Sequence, residues 1–100
     1  DVAFVCAKRI PPGGVKGFFQ GAPDIAVEVV SPNDRASEVM TKARDWLQAG
    51  CSLVWVVDPE TRTICVYRSR GEIAVLSLGD TLSGCDVLPE FSVSVADIFE

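Results

Sequence analysis

Residues 53–58 (LVWVVD) form an uninterrupted apolar run. Such a run predicts a strand covered on both faces. What precedes it narrows the fold further. Ala36, Val39, Met40, Ala43, Trp46 and Leu47 recur at three- and four-residue steps within residues 35–49, which predicts a helix with one apolar stripe. Asn33 or Asp34 is expected to cap its start and Gly50 its end. Ahead of the helix, residues 24–30 (DIAVEVV) predict a second strand. Ser31-Pro32 ends it, because the residue before a proline is pushed away from the helical region. Two apolar strands joined by one helix imply a strand–helix–strand crossover, and so an α/β fold with a mixed sheet and a helix packed on it.

The rest of the chain extends that sheet. Residues 1–7 (DVAFVCA) predict a strand. Pro11, Pro12, Gly13, Gly14 and Gly17 make the stretch between Ile10 and Gly21 a loop. Pro59-Glu60-Thr61 turns the chain into a hairpin strand at 63–68. A further strand is expected at 73–78, with turns at Gly79-Asp80 and Ser83-Gly84 and a short helix at 95–99. All of this fits one domain spanning residues 1–100. The text begins without Met, as if mid-strand, so an N-terminal segment is expected to be missing from it.

Composition excludes several classes. With 48% apolar and 23% charged residues, the chain is neither disordered nor collagen-like. No apolar run approaches the roughly 20 residues of a membrane span. There is no histidine, and Cys6, Cys51, Cys65 and Cys85 show no C-x-x-C pair, which excludes a Cys/His zinc site. Each cysteine sits among apolar or small residues, so reduced core thiols in a cytoplasmic protein are expected. Residues 1–70 carry a net charge of +1 and residues 71–100 one of −6. The total argues mildly against tight non-specific binding of nucleic acid. No P-loop, G-x-G-x-x-G, G-x-S-x-G or H-E-x-x-H motif is present.

One residue stands out from the pattern. Glu28 interrupts the apolar strand Ile25–Val30. A carboxylate in a core is expensive unless it is paired or binds a metal. Equally, Glu28 could face outward from an edge strand. Alternation puts Asp24, Ala26 and Glu28 on one face, with Ile25, Val27 and Val29 on the other. Asp24 and Glu28 are about 13 Å apart along a strand at ~3.3 Å per residue, so both reach one ion only if the strand bends or Asp24 precedes it. Taken alone, Asp24 reads as a turn residue after Pro23. Lys42 lies at the margin of the helical stripe, where its stem can follow the core while its ammonium reaches the rim. On spacing alone it reads as the surface partner of Glu38, four residues earlier.

Taken together, these segments resemble the Uma2 family (also called DUF820), a branch of the PD-(D/E)XK nucleases. The resemblance rests on the opening DVAFV, residues 23–32 (PDIAVEVVSP), Lys42, Ala49-Gly50, residues 55–59 (WVVDP) and residues 87–91 (VLPEF). It implies a restriction-endonuclease-like mixed sheet flanked by helices. It also implies a metal-dependent hydrolysis of phosphodiester bonds, with DNA as the expected partner and Mg²⁺ (or Mn²⁺) as the cofactor. Asp24 and Glu28 fall on the family's P-D-x-x-x-E motif, and Asp1 falls on the aspartate of an earlier P-D-x-x-F motif. The resemblance therefore makes Asp1, Asp24 and Glu28 the expected metal ligands and Asp24, Glu28 and Lys42 the expected catalytic set. The superfamily's lysine usually follows the glutamate by two residues; that position is Val30 here, and Lys42 on the helix takes the role. The alternatives are an inactive nuclease-fold module serving DNA binding or assembly, and an interaction domain. In the latter, exposed strand edges would leave a homodimer possible.

Overall fold

The apolar run at 53–58 becomes the middle of the molecule. The computed structural model describes residues 2–4, by their backbone alone, together with 23–69 and 71–100. In chain order the elements are β1 (Val2–Phe4), β2 (Ile25–Val29), α1 (Ala36–Gln48), β3 (Leu53–Asp58), β4 (Thr63–Arg68), β5 (Ile73–Leu76), β6 (Thr81–Gly84), β7 (Leu88–Ser94) and α2 (Val95–Ile98). The first five strands form one sheet in the order β1-β2-β3-β4-β5, and β6 and β7 form a second, two-stranded sheet. Only β2 and β3 run parallel; the other neighbours in the large sheet are antiparallel. This is the expected crossover through α1, set in a mixed sheet.

Both faces of β3 are covered, as an unbroken apolar strand requires. Leu53 and Trp55 point toward Ile25, Ile64, Val66, Leu82 and Val95, under the small sheet and α2. Val54 and Val56 point the other way, toward Ala26, Ala43 and Cys51, under α1. Each such side chain, fully buried, contributes about 1.5–3 kcal/mol relative to exposure. Alanines on both sides of the contact, Ala26 and Ala43, each 0% exposed, let the helix lie close on β2.

The two ends of α1 differ from one another. Its C-terminus follows expectation: Gly50 adopts φ 110°, its N–H bonds the Leu47 carbonyl at 3.1 Å, and the Cys51 N–H bonds the Trp46 carbonyl at 3.0 Å. That pair of bonds satisfies carbonyls the helix leaves open, at a position where a side chain would be strained. Its N-terminus departs from expectation. Arg35 occupies the capping position without a side-chain bond. Asp34 instead accepts the Ser31 N–H at 2.9 Å, while its own N–H bonds the Ser31 carbonyl at 3.0 Å. The carboxylate closes the turn out of β2, and that local bond competes with capping.

The last third departs most. Ser83 and Gly84, expected in a turn, sit in β6, and the turn is displaced to residues 85–87. The strand expected at 73–78 stops at Leu76, because the Ser77 N–H bonds the Asp80 carboxylate at 2.8 Å and starts a turn. Strand β7 was not expected at all: residues 88–94 (LPEFSVS) are largely exposed and contain a proline. The pairing is irregular between Ser83 and Gly84, and an irregular edge is where a strand tolerates proline.

Candidate active site

Glu28 does not face outward from an edge. β2 pairs with β1 on one side and β3 on the other, and strand alternation turns Glu28 to the face that α1 covers, with Val56 as its neighbour on β3. It is 6% exposed, the one buried charged residue among the described residues, and its Oε2 atom has no hydrogen-bond partner there. An unpaired buried polar atom of this kind costs about 1–3 kcal/mol. A fold keeps such a group only if something offsets it.

α1 brings Lys42 to the same place. Two depressions flank the Glu28 carboxylate, and Glu28 and Lys42 line both of them. The smaller, about 10 Å³, also takes in Val29, Val30, Asp34 and Val39. The larger, about 380 Å³ and open to solvent, is completed among the described residues by Asp45 and Trp46. Lys42 is exposed, so its charge is carried at the rim while Glu28 forms the floor. Asp34 is held ionised beside them. The Ser31 N–H and hydroxyl keep its carboxyl below the usual carboxylate range, and Lys42 adds a smaller pull in the same direction.

Asp24 lies elsewhere. It precedes β2, and its carbonyl accepts the Ser52 and Leu53 N–H groups at 3.1 and 3.2 Å and the Cys51 thiol at 3.6 Å. That is the end of the sheet where α1 has already finished, and Asp24 lines neither depression. Burial pushes the Cys51 thiol up from its ordinary value, with the Asp24 charge adding to it. Asp1 falls outside the described residues. The register of β1 on β2 runs from Phe4 opposite Ile25 to Val2 opposite Val27, one pair short of Glu28.

The structure thus brings Glu28 and Lys42 together and sets Asp24 apart from them. It also adds Asp45, and it brings to the site Asp34 and Trp46, which the sequence had suggested only as a helix cap and a stripe residue. Asp45 and Trp46 follow Lys42 by three and four residues, the helical spacing that places side chains side by side. That was the available signal. A divalent cation fits one observation here, because an unpartnered carboxylate oxygen is the hard donor such an ion takes. Among the described residues no three His, Cys, Asp or Glu side chains cluster as a complete metal cage.

A second cleft, of about 340 Å³, lies at the opposite end of β3, lined by Ser52, Arg68, Ser69, Glu72, Cys85 and Asp86 among others. It shares no residue with the Glu28 depressions.

Comparison with known proteins agrees with this architecture. A solved structure described as a putative nuclease belonging to DUF820, from Anabaena variabilis ATCC 29413, superposes with a TM-score of 0.82 at 27% sequence identity. The match covers 95% of this chain and 55% of that one, so the chain spans about half the length of the protein it resembles. No curated protein matches it at a significant level. The family model for Uma2, described as "Putative restriction endonuclease", matches residues 1–96. That match takes in nearly the whole chain, and the chain belongs to the Uma2 family.

Proposed function

We propose that this chain is the catalytic part of a nuclease that hydrolyses phosphodiester bonds of DNA with the help of a divalent cation, Mg²⁺ or Mn²⁺. One observation carries the reading: a carboxylate 6% exposed, with an unpartnered oxygen, at the floor of depressions whose rim carries an exposed lysine. Membership of a family described as "Putative restriction endonuclease" and the likeness to a structure described as "a putative nuclease belonging to DUF820" support nuclease chemistry broadly. The choice of DNA as substrate rests on that family description, and the cation on the unpartnered carboxylate oxygen.

Glu28 would hold the cation, with Asp1 as the second carboxylate. Asp1 is the residue next to Val2, and Val2 is paired opposite Val27. When bound, a divalent cation supplies Lewis-acid activation of the phosphodiester and of water. Lys42 would offset the charge that builds on the phosphoryl oxygens, an interaction worth most where water is excluded. The sheet and α1 hold Glu28 fixed, so the carboxylate needs no rearrangement to meet its ligand. Asp24, at the far end of β2, would serve to anchor the β2–β3 junction through its carbonyl.

The test is calorimetric titration of the chain with Mg²⁺ and Mn²⁺ beside Glu28→Gln, followed by cleavage of duplex DNA by the same two proteins. The expected result is binding and cleavage that both disappear in the variant. Cation binding that survives Glu28→Gln, or cleavage that needs no cation, would overturn the proposal.

A further inference from the structure

Glu28 cannot hold a cation alone, and besides Asp1 the sequence motif offers Asp24 as a partner. The two acids share a strand face but not a site. Asp24 sits at the Cys51–Leu53 end of β2, about 13 Å along the strand from Glu28 at ~3.3 Å per residue. The larger depression over Glu28 contains a different acid, Asp45 of α1, together with Lys42 and Trp46.

We propose that Asp45 is a further carboxylate of the cation site, a helix-borne residue facing Glu28 across the open depression and holding the ion directly or through its water. This deepens the metal-dependent reading above and rests on it. Three observations single out Asp45. It lines the larger of the two depressions, about 380 Å³ against about 10 Å³; the smaller holds at most about one water, since a water needs roughly 10–15 Å³ of such space. It shares that depression with a carboxylate that is buried and has an unpartnered oxygen. And its own carboxylate is uncommitted among the described residues, whereas Asp34, on the other flank, is tied to the Ser31 N–H at 2.9 Å.

The charge balance agrees. Glu28, Asp45 and Lys42 give the depression a net −1 when each is ionised, a deficit a cation fills and a phosphate alone would worsen. An ordinary surface pair between Lys42 and Asp45, three residues apart on a helix, would explain their adjacency. It would not explain why both border the orphaned Glu28 oxygen.

Trp46 provides a direct readout. Tb³⁺ is a hard, carboxylate-seeking ion whose emission is sensitised by an indole within a few ångströms. Trp46 borders the depression, whereas Trp55 is buried on the other face of the sheet. Titrating the chain with Tb³⁺, with excitation of the indole and Mg²⁺ as competitor, reads binding without any turnover. Expected for Asp45→Asn is a Tb³⁺ affinity lower by on the order of 10- to 100-fold, with the same thermal midpoint as the parent. Asp86→Asn removes one acid from the cleft at the far end of β3 and should leave the affinity unchanged. Trp46→Phe should lose the emission while calorimetry still finds the ion.

The outcomes separate the two proposals. Loss of affinity in Glu28→Gln with none in Asp45→Asn overturns the role of Asp45 and leaves the nuclease reading standing. Equal losses in Asp45→Asn and Asp86→Asn would reduce the effect to bulk charge and also overturn it. No Tb³⁺ or Mg²⁺ binding by the parent chain overturns both.

Discussion

A carboxylate that is buried for function should make the metal-free protein less stable than it could be, and Glu28 offers a clean test. Its Oε2 atom is unpartnered and the residue is 6% exposed. The core on that face is built of Ala26, Ala43, Val54 and Val56, all apolar, and Lys42 stands at the rim. Replacing it by methionine removes the unsatisfied polar group, worth about 1–3 kcal/mol. It also supplies an unbranched side chain that adapts to an irregular gap. The surplus should appear as added stability, since nothing else in the fold depends on the carboxylate. For a domain of this size ~1 kcal/mol moves the thermal midpoint by roughly 4–8 °C, so Glu28→Met should melt at least about 4 °C above the parent. The assay is thermal and urea unfolding followed by circular dichroism, in EDTA, with the urea m-value checked for constancy. In saturating Mg²⁺ the gap should narrow, because an ion that binds only the folded parent stabilises it, by an amount that grows with the logarithm of ligand concentration. A Glu28→Met protein less stable than the parent in EDTA would refute the reasoning. It would mean that the carboxylate is already satisfied in the metal-free fold and that its burial is structural.

Other expectations follow from the packing. Gly84→Ala should destabilise by about 1–3 kcal/mol in urea unfolding, since a Cβ there would overlap the Leu88 carbonyl oxygen and Cβ across the β6–β7 pair. Gly50→Ala should cost about 1–3 kcal/mol, because residue 50 holds φ 110° where α1 ends; circular dichroism and a melting curve read it. Phe91→Ala should lose about 0.5–1.5 kcal/mol beyond the area effect, from the stacking of Phe91 on Trp55 at 5.4 Å, with a change in Trp55 fluorescence as the marker. The Cys51 thiol, buried and pushed up by that burial, should resist alkylation at pH 8 in the folded chain and react at the ordinary rate once unfolded; mass spectrometry of the labelled peptides decides it.

How far the sequence reached depends on the kind of signal each element carries. Strand β3 and hairpin strand β4 have the predicted bounds because apolar runs and the Pro59–Thr61 turn leave few alternatives, and α1 shifts by one residue at each end. Strand β7 escaped notice for a physical reason: LPEFSVS is mostly exposed, so no apolar alternation marks it, and its proline has no N–H to give to a ladder. Its stability comes from pairing with β6 and from Leu88 and Val93 packing on the core, a tertiary term invisible in a window of seven residues. Within the site, Glu28 stood out as a charge in an apolar strand, and its burial answers which of two faces it takes. Asp45 could not stand out. A lone acid on a polar helix face looks like any other until the strand beneath it is known.

The crossover itself explains why the motif's spacing and the site's geometry diverge. β2 advances ~3.3 Å per residue, and α1 then returns over it at ~1.5 Å per residue. The helix therefore travels back along the strand at less than half the pace. Lys42 at its middle, with Asp45 and Trp46 one turn further on, borders the depression over Glu28. Asp24 is matched only after the helix has ended, by Cys51, Ser52 and Leu53. Every position along β2 is thus paired with one level of the returning chain, and a site that needs groups from both must sit at a single level. Glu28 shares its level with a lysine and an acid, whereas Asp24 shares its level with backbone amides that its carbonyl already satisfies. It follows that Asp24→Asn should leave Mg²⁺ affinity within about twofold of the parent, well short of the 10-fold or more that loss of a supporting ligand costs. Calorimetry on that one variant decides it, and a larger loss would mean that β2 bends enough in solution to bring both acids to one ion.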